Sequence, residues 1–416
     1  MFTKLLTLVV LLAPSLEALA DARPLTLDEA VERALGESPQ VVASSAMLDA
    51  AGAKAPSAGR LPDPEFVAAV DNLPINTDDR FSLSRDFMTM RRVGLMQMFP
   101  NGAKRELQKT HAQQEVVVAE AELRKTRFET AQATAEAWIA AAVADESLSR
   151  LRELQPEVAL QASAARSALS SGRATATDAL AAQTVAARLE DRILALEQDA
   201  EMRRAELVRW VGDAAERPLA MIPTDLEVGH SPESLVAGVP QHAPLAPLVA
   251  RIAAAQTEVD LARADKRPDW SAELSYQQRG SGYSNMVSLE FRVGLPFFAK
   301  NRQNPIIAEK LATVRADEAE RDAEIRMHTA EVSATLAEWR HGRTRLDHYA
   351  AELLPLAHDR ARAAVASYGA GRGDLRSTID ALSDEINTEL EYVELKGSLA
   401  RAWTFLHFLH ESGAAP

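Results

Sequence analysis

The sequence predicts a mainly α fold with a smaller β part: long α-helical hairpins, plus four β-strands of the kind that contribute to a membrane β-barrel. Three observations predict it. Residues 103–171 contain no glycine and one proline, Pro156, so a helix there would reach roughly 100 Å at 1.5 Å per residue. Globular helices are seldom so long. That run has an echo at residues 305–368, and both follow strand-like stretches bearing one tetrapeptide, Arg92-Val93-Gly94-Leu95 and Arg292-Val293-Gly294-Leu295. Beyond the N-terminus no segment has the 18 or more consecutive apolar residues of a spanning helix, so an exported chain that enters a membrane must do so with strands.

Composition narrows the function. The net charge of −14 argues against nucleic acid, which requires a basic surface. Aromatics make up only 5% and alanine is abundant, which favours close-packed helices. There is no cysteine, so disulfides and thiolate metal sites are excluded. Lys4, the apolar run 5–12 and Ala18-Leu19-Ala20 read as a secretory signal peptide spanning residues 1–20.

The elements follow in order. Thr26 and Glu29 form a capping box before a helix over 27–36, and Pro39 opens a second helix to about residue 60. Pro62 and Pro64 end it, because proline cannot donate to a backbone ladder. Strands are expected at 65–71 and 88–99, around a polar loop. The first rod, 103–171, should kink at Pro156 and turn at Gly172. A return helix, 175–211, carries Leu189, Ile193 and Leu196 at coiled-coil spacing. Residues 213–247 hold six prolines with Pro218 first, and read as an equatorial connector wrapped around the outside. Then the order repeats: a helix at 248–266, strands at 271–277 and 286–298, the rod at 305–368 with Pro355, a turn at Gly371, and a last helix with Leu375, Ile379, Leu382 and Ile386.

The halves agree in detail. Pro156 and Pro355 each lie 16 residues before a tip glycine, Gly172 and Gly371, and Trp138 and Trp339 sit at similar places in the rods. The sequence therefore predicts an internal duplication: a first repeat over 21–212, the connector 213–247, and a second repeat over 248–416. Four strands cannot close a barrel, so copies of the chain must pool theirs; two copies would give about eight strands, a barrel filled by its own side chains, and three about twelve, wide enough for water.

The residues Leu25-Thr26-Leu27-Asp28-Glu29-Ala30, Leu61-Pro62-Asp63-Pro64, Asp86-Phe87-Met88-Thr89-Met90-Arg91-Arg92, Gln97-Met98-Phe99-Pro100 and the two glycine-bearing tips give the chain a resemblance to a family. It resembles the TolC-like outer-membrane efflux proteins, and most of all their heavy-metal branch, serving Czc- and Cus-type pumps (CzcC/CusC-like). The resemblance implies a homotrimer with a twelve-stranded barrel in the Gram-negative outer membrane and a helical tunnel in the periplasm. It implies docking on a periplasmic adaptor (membrane fusion protein) and an inner-membrane resistance-nodulation-division (RND) pump. Many metal-branch relatives also carry a lipidated N-terminal cysteine; this sequence has none, so barrel insertion is expected to anchor it.

By the same resemblance, Asp178 matches a latch aspartate, Tyr368 a latch tyrosine, and Asp380 one aspartate of an acidic constriction. A second family aspartate falls on Ser377, with Asp374 or Asp384 as candidate substitutes. The tips, with Gly172, Arg173, Gly371 and Arg372, would meet the adaptor. Met88, Met90, Met96 and Met98 alternate at period two and are weak candidates for soft metal ions, the plainer reading being flexible packing. No nucleophile motif, phosphate loop or ligand triad points to an enzyme or a cofactor. The expected function is the exit duct of a tripartite efflux system for heavy-metal cations. The alternatives are a general multidrug or type I secretion duct and, from another class, a periplasmic coiled-coil adaptor or scaffold.

Overall fold

A computed structural model describes residues 23–411 apart from 225 and 230; the expected signal peptide, 1–20, lies outside the described residues. The chain forms two compact units, each drawing on both halves of the sequence: one from Ser44–Leu123 and Pro244–Arg326, the other from the residues up to Ala43, Arg124–Ala243 and those from Met327.

The element order is α1 (Leu27–Glu37), α2 (Pro39–Lys54), β1 (Glu65–Asp71), β2 (Met90–Phe99), α3 (Gly102–Ser170), α4 (Ala176–Val211) and the short α5 (Pro232–Ala237). It continues with α6 (Ala246–Ala264), β3 (Trp270–Gln278), β4 (Met286–Val293), α7 (Gln303–His348), a π turn at Tyr349–Leu353, α8 (Leu354–Gly369) and α9 (Leu375–Glu411). The mainly helical fold with four strands is thus as expected. The long first rod is one helix of 69 residues.

The first unit is built on an antiparallel meander, β1-β2-β3-β4. Phe66 pairs with Leu95, Leu95 with Leu274, and Leu274 with Leu289, so one row crosses all four strands. Two strand ends differ from expectation. β2 starts at Met90 rather than Met88, because the Asp86 carboxylate accepts the Met88 N–H at 2.8 Å and holds a turn there. β4 stops at Val293 rather than 298. Gly294 donates to the Asp269 carbonyl at 3.2 Å, and Pro296 has no N–H to extend the ladder.

The second unit is helical. Thr26 caps α1 by accepting the Glu29 N–H at 3.2 Å. The expected capping box is only half formed, since the Glu29 carboxylate instead pairs with Arg217 at 2.5 Å. That hydrogen bond holds the Glu29 carboxyl below its ordinary range. The core collects Leu25, Trp138, Ile139, Leu207, Leu226 and Leu399. Two indoles anchor it alike: Trp138 donates to the Leu25 carbonyl at 3.1 Å and Trp339 to the Leu226 carbonyl at 2.9 Å, each pair 113 residues apart. Part of the proline-rich segment is therefore a core element: Ile222, Leu226, Leu235 and Val239 are buried, and Leu219 bridges Leu25 in parallel.

The two rod prolines behave differently. Pro156 sits inside continuous helix, whereas Pro355 follows the π turn, near the start of α8. A widened turn accommodates the missing N–H and the ring.

Candidate functional site

The sheet carries the first candidate surface. Period-two alternation puts Phe66, Val93, Leu95, Leu274, Val287, Leu289 and Phe291 on one face. That face is uncovered: Phe66 is 74% exposed, Val287 70% and Phe291 62%. An apolar area this large costs tens of calories per mole per Å² in water, so it calls for an apolar partner.

The opposite face is ionic. Arg92 reaches Asp71 and Glu273, each at 2.9 Å. Arg292 binds Glu273 at 2.9 Å and Glu290 at 2.7 Å. Glu273 is 3% exposed, and two guanidiniums satisfy it. The ladder thus runs Asp71–Arg92–Glu273–Arg292–Glu290 across the four strands. Alternation within each strand foretold a polar face, but not which charges would meet, because the central link, Arg92–Glu273, joins opposite halves of the sequence.

The weak metal candidates separate here. Met90, Met96 and Met98 lie on the ionic face, whereas Met88 precedes the strand. The Met96 thioether accepts from Arg292 at 3.2 Å. Among the described residues no group of three or more His, Cys, Asp and Glu side chains is arranged to hold a metal ion.

The hairpin tips carry the second candidate surface, and both close as Schellman turns. Gly172 (φ 72°) donates to the Leu169 carbonyl and Arg173 to that of Ala168; Gly371 (φ 69°) donates to Tyr368 and Arg372 to Ser367. Left-handed φ at this position is why glycine recurs. The Arg173 side chain bonds the Ser171 hydroxyl at 3.0 Å, and Arg173 and Arg372 are exposed.

The matched gate residues lie close to these turns. The Asp178 carboxylate accepts the Thr175 hydroxyl at 2.6 Å and its N–H at 3.3 Å, completing a capping box at the start of α4. Tyr368 packs against Ala162, Ala165, Ala182, Leu375 and Ile379, and its hydroxyl is buried with no hydrogen-bond partner. No Asp178–Tyr368 bond therefore forms within one chain. Asp380 is exposed on α9. Its suggested substitutes are engaged: Asp374 caps α9 by accepting the Ser377 N–H at 2.8 Å, which lowers its pKa, and Asp384 pairs with Arg360.

Two ionisable groupings escaped sequence reasoning. His358 of α8 sits between Glu385 at 2.5 Å and Glu389 at 3.0 Å, and these carboxylate side chains are only 6% and 4% exposed. Burial pushes the Glu385 carboxyl up, against the pull of His358. The available signal was two glutamates at i and i+4 beside the Leu382, Ile386 and Leu390 seam. The other grouping is a buried pair, His242 and His328, whose ring nitrogens lie 3.2 Å apart, with His328 also 2.9 Å from Glu331.

With this geometry in hand, comparison with known proteins is informative. Residues 241–409 match the family described as outer membrane efflux protein. A membrane protein from Pseudomonas aeruginosa superposes with a TM-score of 0.78 at 17% identity, over 92% of this chain and 89% of its own. The chain has the fold of outer-membrane channels. The outer membrane protein VceC from Vibrio cholerae gives a TM-score of 0.76 at 18% identity, over 93% and 96% of the two chains. CusC, described in terms of folding and transmembrane channel formation, gives 0.77 at 14% identity over 94% and 92%. No curated protein matches at the sequence level.

Proposed function

We propose that the chain is one protomer of a homotrimeric outer-membrane exit duct, working passively with a periplasmic adaptor and an inner-membrane resistance-nodulation-division pump to expel heavy-metal cations. The observation that carries this reading is the two-faced sheet. Its exposed apolar face suits hydrocarbon and its ionic face suits a wet lumen. Among the described residues the outer edges of β1 and β4 pair with no other strand, and such edges would be costly in lipid. Pooling strands among three copies satisfies them. No described helix is long and apolar enough to cross a membrane, so the strands take that role. An adaptor or scaffold would have no use for such a face.

The repeated element order and the matched indole anchors support an ancestral duplication into 21–212 and 248–416, joined by 213–247. The tips at Gly172, Arg173, Gly371 and Arg372 offer two backbone-rigid turns to an adaptor hairpin. Tyr368 and Asp178 act as a latch when neighbouring protomers or a shifted tip bring them together; such a bond is worth about 1–3 kcal/mol, within reach of docking contacts. Asp380, repeated three times around the axis, would concentrate cations there. Energy is supplied by the pump, so the duct needs no catalytic group.

A general multidrug or secretion duct is the second reading, favoured by one observation: CusC is no more similar in sequence than the Pseudomonas aeruginosa membrane protein or VceC, at 14% identity against 17% and 18%. A deletion strain challenged with copper, silver, zinc and cobalt, and separately with dyes and bile salts, decides between them. Sensitivity confined to the organic compounds overturns the metal assignment. For the duct itself, Asp380→Asn in planar bilayers is expected to lower the cation-over-anion preference at unchanged trimer content. An unaltered preference removes Asp380 from the constriction.

A further inference from the structure

We propose that a basic groove beside the foot of the sheet binds the phosphate headgroup of an anionic phospholipid from the inner leaflet of the membrane. The groove encloses about 650 Å³ and is lined by Gly59, Arg60, Gly102, Arg105, Glu106 and Lys109, among others. It lies wholly within the unit that carries the sheet. The inference rests on the membrane reading above and adds a ligand to it.

The cations of this groove are poorly neutralised. Arg60 spends its Nε on the Pro56 carbonyl at 2.6 Å, and Arg105 spends its Nε on the Gly59 carbonyl at 2.7 Å. Neither guanidinium has a carboxylate partner among the described residues, and the pair Lys109–Glu106 is stretched to 3.9 Å. The residue just before Arg105 in α3 behaves oppositely: Lys104 binds Asp265 at 2.7 Å and Asp269 at 3.4 Å. In a chain of net charge −14, two unpaired arginines facing one groove mark a place for an external anion.

The groove is also built. Gly59 has φ 71°, and a Cβ there would come within 2.2 Å of the Arg105 carbonyl oxygen. Only glycine lets the turn close on α3, and that closure sets the two arginines side by side.

Position selects a lipid over a free anion. Gln97 in β2 donates to the Pro62 carbonyl at 2.8 Å, tying the segment after Arg60 to the sheet end where Phe99 stacks on Trp270 with ring centroids 4.1 Å apart. At this end Phe297 and Phe298 are exposed beyond β4. Aromatic rings at the edge of an apolar band mark the headgroup level of a membrane, and cations just past them meet lipid phosphates. Acyl chains would then run along the apolar face while the phosphate sits between Arg60, Arg105 and Lys109.

The test is native mass spectrometry of the detergent-purified protein with phosphatidylglycerol, phosphatidylethanolamine or inorganic phosphate added. Phosphatidylglycerol is expected to be retained best. The Arg60→Gln/Lys109→Gln variant should weaken that retention by about tenfold or more, as each lost charge costs about 1 kcal/mol near a membrane surface. Lys109→Glu alone, which leaves the Arg60–Pro56 bond intact, should weaken it as well. Equal retention by wild type and variants overturns the proposal, as does equal retention of the two lipids. Inorganic phosphate competing as well as the lipid overturns the lipid source. Heat-modifiable trimers, scored on the same samples, report on the duct reading separately: trimers without lipid preference sink only this inference, and a detergent-free monomer sinks the duct.

Discussion

The two helical hairpins share a backbone and differ in what they bury. Both turn through a glycine near φ 70° with the same pair of turn hydrogen bonds. At the position three residues before that glycine, the first hairpin has Leu169, an exposed aliphatic side chain, and the second has Tyr368 with a buried, unpartnered hydroxyl. Six residues after it, the first has Asp178, closing its own capping box, and the second has Ser377, held by Asp374. Deeper in, the first hairpin contributes an apolar seam of Leu151, Val158, Leu189 and Ile193. The second adds His358, Glu385 and Glu389 to that neighbourhood and contains the π turn. Of the buried histidines, His328 also falls in the second repeat, and its partner His242 in the connector just before it. One half reads as scaffold, the other as the half that holds ionisable groups out of water.

That contrast can be broken by acid. Burial, and then the neighbouring His328, push His242 down from 6.5 to about 4. A folded-state pKa below the unfolded one means the unfolded chain takes up the proton first. The stabilisation is complete above about pH 6.5 and is lost as pH falls towards 4, by about 3 kcal/mol. The groups facing the pair are Glu331, on His328, and the Phe405 ring. Thermal unfolding of the detergent-solubilised protein from pH 7.5 to 4.5 should show this loss, and His242→Leu should flatten it. An equally steep loss in the variant would assign acid sensitivity elsewhere.

A smaller effect is expected from His358→Ala, about 2 kcal/mol in denaturant unfolding. Leaving a buried carboxylate without its partner costs up to about 3–5 kcal/mol, but the His358 side chain that partners Glu385 and Glu389 is 43% exposed, so solvent softens the loss. Val158→Ala in the apolar seam supplies the comparison, costing about 1 kcal/mol or more through lost packing alone and independent of pH. If His358→Ala leaves stability unchanged at neutral pH, the second hairpin's charges are not a buried load.

The smallest effect sharpens the proposed gate. An unpartnered buried hydroxyl is a liability of about 1 kcal/mol, so Tyr368→Phe should leave the isolated protomer fold unharmed or slightly more stable. In the proposed trimer the same change should raise single-channel conductance if the hydroxyl finds Asp178 there. Raised stability with unchanged conductance would discard the latch.

By itself the sequence determined the elements. Glycine-free runs gave the long helices, prolines and glycines gave their ends, and period-two alternation gave strands with one apolar and one polar side, because each of these depends on neighbours a few residues apart. It also marked Gly172 and Gly371, since the left-handed turn restricts the residue locally. Tertiary structure decided what those elements meet. Arg92 finds Glu273, Trp339 finds Leu226, His242 finds His328, and Arg60 comes beside Arg105 only when distant segments pack. It also diverted Glu29 from its cap to Arg217 and left Tyr368 without a partner. Local rules fix backbone conformation over a few residues, whereas electrostatic pairing and burial are properties of the packed chain.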